Sequence, residues 1–380
     1  TLQKAARHQH QGLEIMITDI KKLTVKYNGK TVGYLAQLDE GIAFQYDEKW
    51  LKNGFNISPF SLPLEDRVFI NRKDIFGGLY GVFADCLPDG WGELLVVRML
   101  ARRGINYSRL SPLTKLTLIS GQGLGGLTFE PNQGEMNYSQ TVELDRICGE
   151  VNDILNDDAD NATLDKIYSL GGSSGGARPK AHIKIDGEEW IVKFPCRLDP
   201  PDIGEAEYNA NLAAKRCGLN VNECRLFPSE NCSGYFGAKR FDRTPEGRVH
   251  MVSLSSLLET SHRIPNLDYI HLIKVTQRIC ADERDCYEAF GRMCFNVFYG
   301  NKDDHGKNFA FLFDEKLDGY KLSPFYDITR TPDKAEHEMT AAGSGNPTEK
   351  DLLEVARQTA LDIEKCRKII ANIKEVLNNK

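Results

Sequence analysis

The residues whose types and spacing most directly imply chemistry lie in one stretch, GNKDDHGKNFAFLFDEKLDGYKLSPFYDITR. Asp303 precedes Asn308 by five positions, and Asp327 follows after a hairpin-like segment. Phosphoryl transfer is mostly positioning and charge neutralisation. It needs one carboxylate to accept and orient the attacking hydroxyl, and an amide oxygen and a second carboxylate converging on Mg²⁺. All three occur here in that order. In isolation, D-x-x-x-x-N would be a polar surface turn. Here the loop sits between the apolar runs CFNVFYG and FAFLF, where unpaired carboxylates would be costly and a metal would offset the cost. Asp304 is the rival to Asp303 as catalytic base, but the spacing to Asn308 favours Asp303. His305 reads as a nucleotide-side residue or a brace for the loop.

Upstream, Lys193 alternates with apolar neighbours in EWIVKFP, the placement of a strand lysine that meets nucleotide phosphates rather than a solvated edge residue. Glu207 in the following helix-like segment is its expected partner, with Glu205 the alternative. Before that strand runs Gly171-Gly-Ser173-Ser174-Gly175-Gly176-Ala177-Arg178-Pro-Lys180. Glycines let backbone N–H groups approach phosphate closely, and Arg178 and Lys180 add positive charge, so a phosphate loop over Gly175, Gly176 and Ala177 is favoured over a flexible linker. The run lacks G-x-x-x-x-G-K-[ST], which disfavours an ordinary P-loop NTPase. In FGAKRFDR the backbone from Lys239 to Phe241 is placed at the adenine edge, with Phe241 as an apolar wall; a plain core strand competes. Gly121 to Gly126 matches G-x-G-x-x-G by letters, but LTFEP follows instead of a helix, so it reads as a tight turn. Neither G-x-S-x-G nor H-E-x-x-H occurs, which removes the local signatures of serine hydrolases and zincins.

These residues need elements to hold them. At 380 residues the chain exceeds the usual limit of a single core. With 41% hydrophobic and 27% charged residues it has ordinary globular composition. Its net charge of −6 gives no basic footprint for unassisted nucleic-acid binding. The ten cysteines form no C-x-x-C pair and are expected reduced. No long apolar run and no secretory leader is read, so no membrane association and a cytoplasmic location are expected. Residues 1–15 read as a tail or fusion remnant. Residues 16–141 read as a β-rich subdomain, opening with a hairpin at Asn28-Gly29 and containing a helix–turn–helix around Leu87-Pro88-Asp89-Gly90. Its exit is the polar linker 131–141. Residues 142–255 read as an α/β unit carrying the glycine-rich loop, and 256–380 as a helical unit with one hairpin-like interruption near 309–325. A β-rich lobe ahead of a helical lobe implies a cleft between them.

Taken together, GSSGGARPKAHI, WIVKFP, EAEYNANLAAK, KRFDR, FNVFYGNKDDHGKNFAF and LSPFYDIT resemble the HipA family of serine/threonine kinases. VGYLAQL, LPDGWG and GLGGLTF resemble its N-terminal domain, so the likeness runs from about residue 20 to 360. The resemblance implies an α+β, two-lobed protein-kinase-like fold with an additional β-rich N-terminal subdomain and an all-helical C-terminal lobe. It implies ATP and Mg as cofactors, Asp303 as catalytic base, Asn308 and Asp327 as metal ligands, Lys193 as the phosphate lysine and Tyr326 on the nucleotide side. Ser173, and next Ser174, match the serine whose autophosphorylation inactivates family members by expelling the loop. The implied partners are a helix-turn-helix, HipB-like antitoxin and a protein substrate such as an aminoacyl-tRNA synthetase or another translation factor. DNA contact is implied only through the antitoxin. Two other readings stay open: a small-molecule kinase with the same Asp, Asn and Asp chemistry, and an inactive kinase-fold co-repressor.

Overall fold

The computed structural model describes residues 17–118, 123–134, 143–172 and 174–379. The first sheet is antiparallel in the order β4-β3-β2-β1-β5, built from β1 (Lys22–Tyr27), β2 (Lys30–Leu38), β3 (Gly41–Tyr46), β4 (Val68–Asn71) and β5 (Leu127–Glu130). The Asn28-Gly29 turn closes the first hairpin, with Tyr27 paired to Lys30. Both turn residues have positive φ, 45° and 78°, as the tight two-residue turn requires. Helices α1 (Glu48–Asn53), α2 (Gly81–Ala84), α3 (Gly90–Arg102) and α4 (Pro112–Thr117) accompany it. The expected helix before Pro88 is only the single turn α2. Gly77 and Gly78 adopt positive φ, and Asn71 Nδ2 donates to the carbonyls of Gly78 and Leu79, so the chain is bent where a helix was anticipated.

Next come α5 (Leu144–Leu155) and α6 (Asn161–Gly171), then an antiparallel sheet in the order β6-β7-β9-β8, from β6 (Lys180–Ile185), β7 (Glu188–Lys193), β8 (Cys224–Phe227) and β9 (Tyr235–Lys239). Helix α7 (Ile203–Arg216) crosses between β7 and β8. After the short hairpin β10 (Arg243–Thr244) and β11 (Gly247–Arg248), β12 (Met251–Ser253) pairs with β13 (Ala310–Asp314), which pairs with β14 (Gly319–Leu322). The remaining helices are α8 (Leu254–Leu257), α9 (Tyr269–Ile279), α10 (Arg284–Tyr299), α11 (Glu349–Gln358) and α12 (Ile363–Asn378). The C-terminal region is therefore not all-helical. FAFLF is buried along its whole length, and such a run can lie as a strand between β12 and β14.

Two apolar cores form, and neither follows the chain order. One joins the first sheet to α7, α9, α10, α11, α12 and the β13–β14 hairpin. The other joins α3, through Trp91, Leu95 and Leu100, to α5, α6 and the β6–β9 sheet, through Ile183, Trp190 and Val192. The N-terminal region thus packs on both later units. Phe55 stacks on Phe313 at 3.8 Å, and Tyr320 Oη donates to Asn56 O at 2.6 Å. All ten cysteines are free. Among the described residues no helix is long and apolar enough to cross a membrane.

Candidate active site

The C-terminal end of β7 delivers Lys193, and the first turns of α7 deliver Glu207. Lys193 Nζ donates to Glu207 Oε1 at 2.5 Å and to Asp327 Oδ1 at 2.5 Å, joining residues 134 positions apart. Glu207 is the partner; Glu205 is exposed on the same helix. Attraction to Asp327 and Glu207 outweighs the burial that would discharge Lys193, so its ammonium is held above the ordinary lysine range. The Lys193 charge holds the Asp327 carboxyl well below the usual carboxylate range. Burial pushes Glu207 upward against Lys193. The Asp327 side chain stays 36% exposed on the open side. Its backbone sits in the left-handed region at φ 57°, a conformation rare outside glycine that persists where surrounding structure imposes it.

The loop after α10 is built on a second carboxylate. Asp304 is fully buried and accepts from Tyr269 Oη at 2.6 Å, from Glu338 N at 2.9 Å, and pairs with His337 Nδ1 at 2.7 Å. It anchors the loop. Asp303 points outward, 38% exposed, and pairs with Lys334, which also reaches Glu338 at 2.7 Å. Of the two, Asp303 is the one open to a reacting group. The five-residue spacing has a physical reason: Asn308 Nδ2 donates to Asp303 O at 2.7 Å and closes the loop on itself. With the nitrogen donating inward, the amide oxygen is the end left for a cation.

Asn308 and Asp327 together offer two hard oxygen donors, which suits Mg²⁺: it takes one or two protein carboxylates and completes an octahedron with phosphate and water. Tyr326 Oη donates to Lys307 O at 2.5 Å, tying the segment that carries Asp327 to the loop that carries Asn308, and its ring lies 5.5 Å from that of Phe241. His305 sits 5.3 Å from the His262 ring in a shallow pocket with Leu267 and Gly306.

The glycine-rich loop is brought to the same centre. Lys180 is buried with its Nζ on Gly175 O, and burial, then the nearby Lys193 charge, pushes it down to about 8. Gly176 N donates to Asp89, and Ala177 is exposed. Arg178 pairs with Asp199 at 3.3 Å and lines a small cavity behind Lys193 with Glu207 and Phe236. Two expectations change. Ser174 is buried and donates to Gly171 O at 2.5 Å, so as placed it is shielded from modification; Ser173 lies outside the described residues. Lys239 is committed away from a nucleotide edge: its amide donates to Glu223 O, its carbonyl accepts from Asn222, and its ammonium pairs with Glu188 and Glu223.

The sequence reading missed Lys307, Lys334 and Asp89. Lys307 lies within the DDHGKN loop and was legible there. Lys334 comes 31 positions after Asp303 with no spacing rule to connect them. Asp89 read as a turn residue.

Comparison with known proteins places the chain among relatives. The HipA-like C-terminal domain profile matches residues 172–380, more than half of the chain, and the HipA N-terminal domain profile matches 23–130. Two curated proteins of Sinorhizobium fredii, both with provisional kinase names, are similar. Y4dM is 30% identical over 177 residues, 43% of this chain and 42% of its own length. Y4mE is 26% identical over 346 residues, 82% and 78% respectively. The chain thus spans less than half the length of the first of these relatives. The HipA chain of a Shewanella oneidensis HipA, HipB and operator DNA complex superposes with a TM-score of 0.68 at 18% identity, covering 94% of this chain and 91% of that one. With both domain profiles in order, one over the segment that holds Lys193, Asp303, Asn308 and Asp327, the chain belongs to the HipA family.

Proposed function

We propose that this protein is an ATP- and Mg²⁺-dependent serine/threonine protein kinase acting as the toxin of a toxin–antitoxin pair. The observation that carries the reading is the Lys193 bridge between Glu207 and Asp327, set beside an open Asp303 on a loop closed by Asn308. Mg·ATP would supply the phosphoryl group and the charge that offsets its oxygens. In this reading Glu207 holds Lys193 toward the phosphates, Asp327 and Asn308 present oxygens to the cation, and Asp303 orients the acceptor hydroxyl and takes its proton. Lys334, paired with Asp303, directs that carboxylate. The partners that fit are a HipB-like antitoxin, as in the Shewanella complex, with DNA contacted through it, and a translation component as substrate, all in the cytoplasm.

The test is incubation of wild-type protein and Asp303→Ala with Mg²⁺ and radiolabelled ATP, followed by mass spectrometry of the product. Label on Ser173 in wild type alone is the expected result, because Ser174 is buried as placed. Measurable ATP binding with no label in either protein, starting from unmodified serines, sinks the protein-kinase reading in favour of the co-repressor or small-molecule alternatives.

A further inference from the structure

Asp89 is the N-cap of α3, where an aspartate ordinarily accepts from the amides of its own first turn. It makes no such bond. Its carboxylate reaches outward: one oxygen accepts from Gly176 N of the glycine-rich loop and the other pairs with Lys307 Nζ of the catalytic loop at 2.5 Å. Burial alone would raise this carboxyl, but Lys307 and the Gly176 amide together hold it below the ordinary aspartate value.

The surroundings are shaped for this contact. Trp91 N donates to Gly176 O at 3.0 Å and Trp91 Nε1 to Lys180 O at 3.1 Å, so the loop lies along the start of α3. A Cβ on Gly90, which has φ +49°, would meet Gly176 O at 2.5 Å, and one on Gly92 would meet Ser174 O at 2.2 Å. Only glycine permits so close an approach at these two positions.

A glycine-loop amide and a catalytic-loop ammonium are the donors that a terminal phosphate takes. We propose that Asp89 is an internal stand-in for that phosphate: it latches the glycine-rich loop onto the N-terminal subdomain and must yield Gly176 N–H and Lys307 when a nucleoside triphosphate binds. The inference rests on the kinase reading. A carboxylate left beside a triphosphate would be repelled by it, so the latch opens as the nucleotide enters. This gives the N-terminal subdomain direct control over nucleotide affinity.

The test is titration of wild-type protein and Asp89→Asn with Mg·ATP and Mg·ADP. Asparagine keeps the shape and an acceptor for Gly176 but removes the charge pair with Lys307. The latch predicts that Asp89→Asn binds ATP about tenfold more tightly, the worth of one charge-assisted contact, with a smaller gain for ADP. Independently of any variant, hydrogen exchange on wild-type protein with a non-hydrolysable Mg·ATP analogue should show the Trp91 amide losing protection as Gly176 O departs. If wild type binds ATP while Asp89→Asn binds it equally or less well, or the Trp91 amide gains protection, the latch is wrong and the kinase reading stands. If neither protein binds nucleotide, both fall.

Discussion

Two buried charge clusters with opposite arithmetic lie toward opposite ends of the antiparallel pair β7 and β9. In one, a single cation, Lys193, is held between two carboxylates, Glu207 and Asp327. In the other, the Asp242 carboxylate is held between two guanidinium groups, Arg240 and Arg243, at 2.7 and 2.9 Å. The second is closed. Asp242 Oδ2 also accepts from Gly125 N at 2.7 Å, while Arg240 and Arg243 both donate to Gly123 O and Arg243 reaches Glu189 at 3.4 Å. The first is open: Asp327 is 36% exposed and its backbone is in the left-handed region, whereas Asp242 is 4% exposed. Buried charge alone does not mark a reactive centre. An incompletely surrounded acceptor on a strained backbone does, and the saturated cluster instead clamps the Gly123–Gly126 turn of the N-terminal region onto the connection after β9.

The contrast is broken most directly at Asp327. Asp327→Asn should lower phosphate incorporation by roughly 10²–10³-fold, the loss typical of a charge-stabilising group, while destabilising the fold less than Asp242→Asn, because Glu207 still pairs with Lys193. Wild-type incorporation by that variant would remove the open cluster from the reaction. Asp242→Asn should do the reverse. It leaves two guanidinium groups short of their anion, and breaking such a buried arrangement costs on the order of 3–5 kcal/mol, read as a lowered urea midpoint, while each molecule that folds keeps its activity. The same carboxylate adds an acid limit. Burial would raise it, but Arg240 and Arg243 hold it well below its unfolded value. Its stabilisation is thus complete above about pH 4 and lost as pH falls through the folded value. An Asp242→Asn protein as stable as wild type at pH 7 would dissolve the distinction between the clusters.

The open cluster was largely legible in the sequence and the closed one was not. Asp303, Asn308 and Asp327 were picked out because phosphotransfer uses such groups in that order, and Lys193 with Glu207 because a strand lysine and helix glutamate form a recurring pair; the structure brings Lys193, Glu207 and Asp327 into contact and joins Asn308 to Asp303. The hairpin at Asn28-Gly29 and the strands flanking Lys193 were legible from turn chemistry and alternation. The backbone from Lys239 to Phe241, by contrast, was placed at an adenine edge with a plain core strand as competitor, since nothing local reveals that Arg240 and Arg243 turn toward Gly123, 117 and 120 residues earlier. Asp89 was hidden for the same reason: Pro-Asp-Gly spells a turn, and its partners Gly176 and Lys307 are 87 and 218 positions away. The choice between Asp303 and Asp304 rested on spacing alone, and what separates them is burial, set by Tyr269 and His337 from distant segments.

The smallest effect sharpens the comparison by asking whether a cation near the open cluster is retained for binding rather than for stability. Lys180 is buried, and it is pushed down to about 8 by burial and then by Lys193. Its unfolded value is near 10.4, so between about pH 8 and 10 the unfolded chain binds more protons and this group makes stability rise with pH. Below pH 8 the charged side chain is a net cost to the fold. Lys180→Met should therefore stabilise the protein at pH 7 by about 1–3 kcal/mol and abolish that rise, measured as urea midpoints at pH 7 and 9.5. The same variant should bind Mg·ATP roughly tenfold more weakly, as expected when a charge-assisted phosphate contact is removed. A destabilised Lys180→Met protein with unchanged ATP affinity would make Lys180 a structural brace for Gly175, and would leave Lys193 as the lysine of this cluster that meets phosphate.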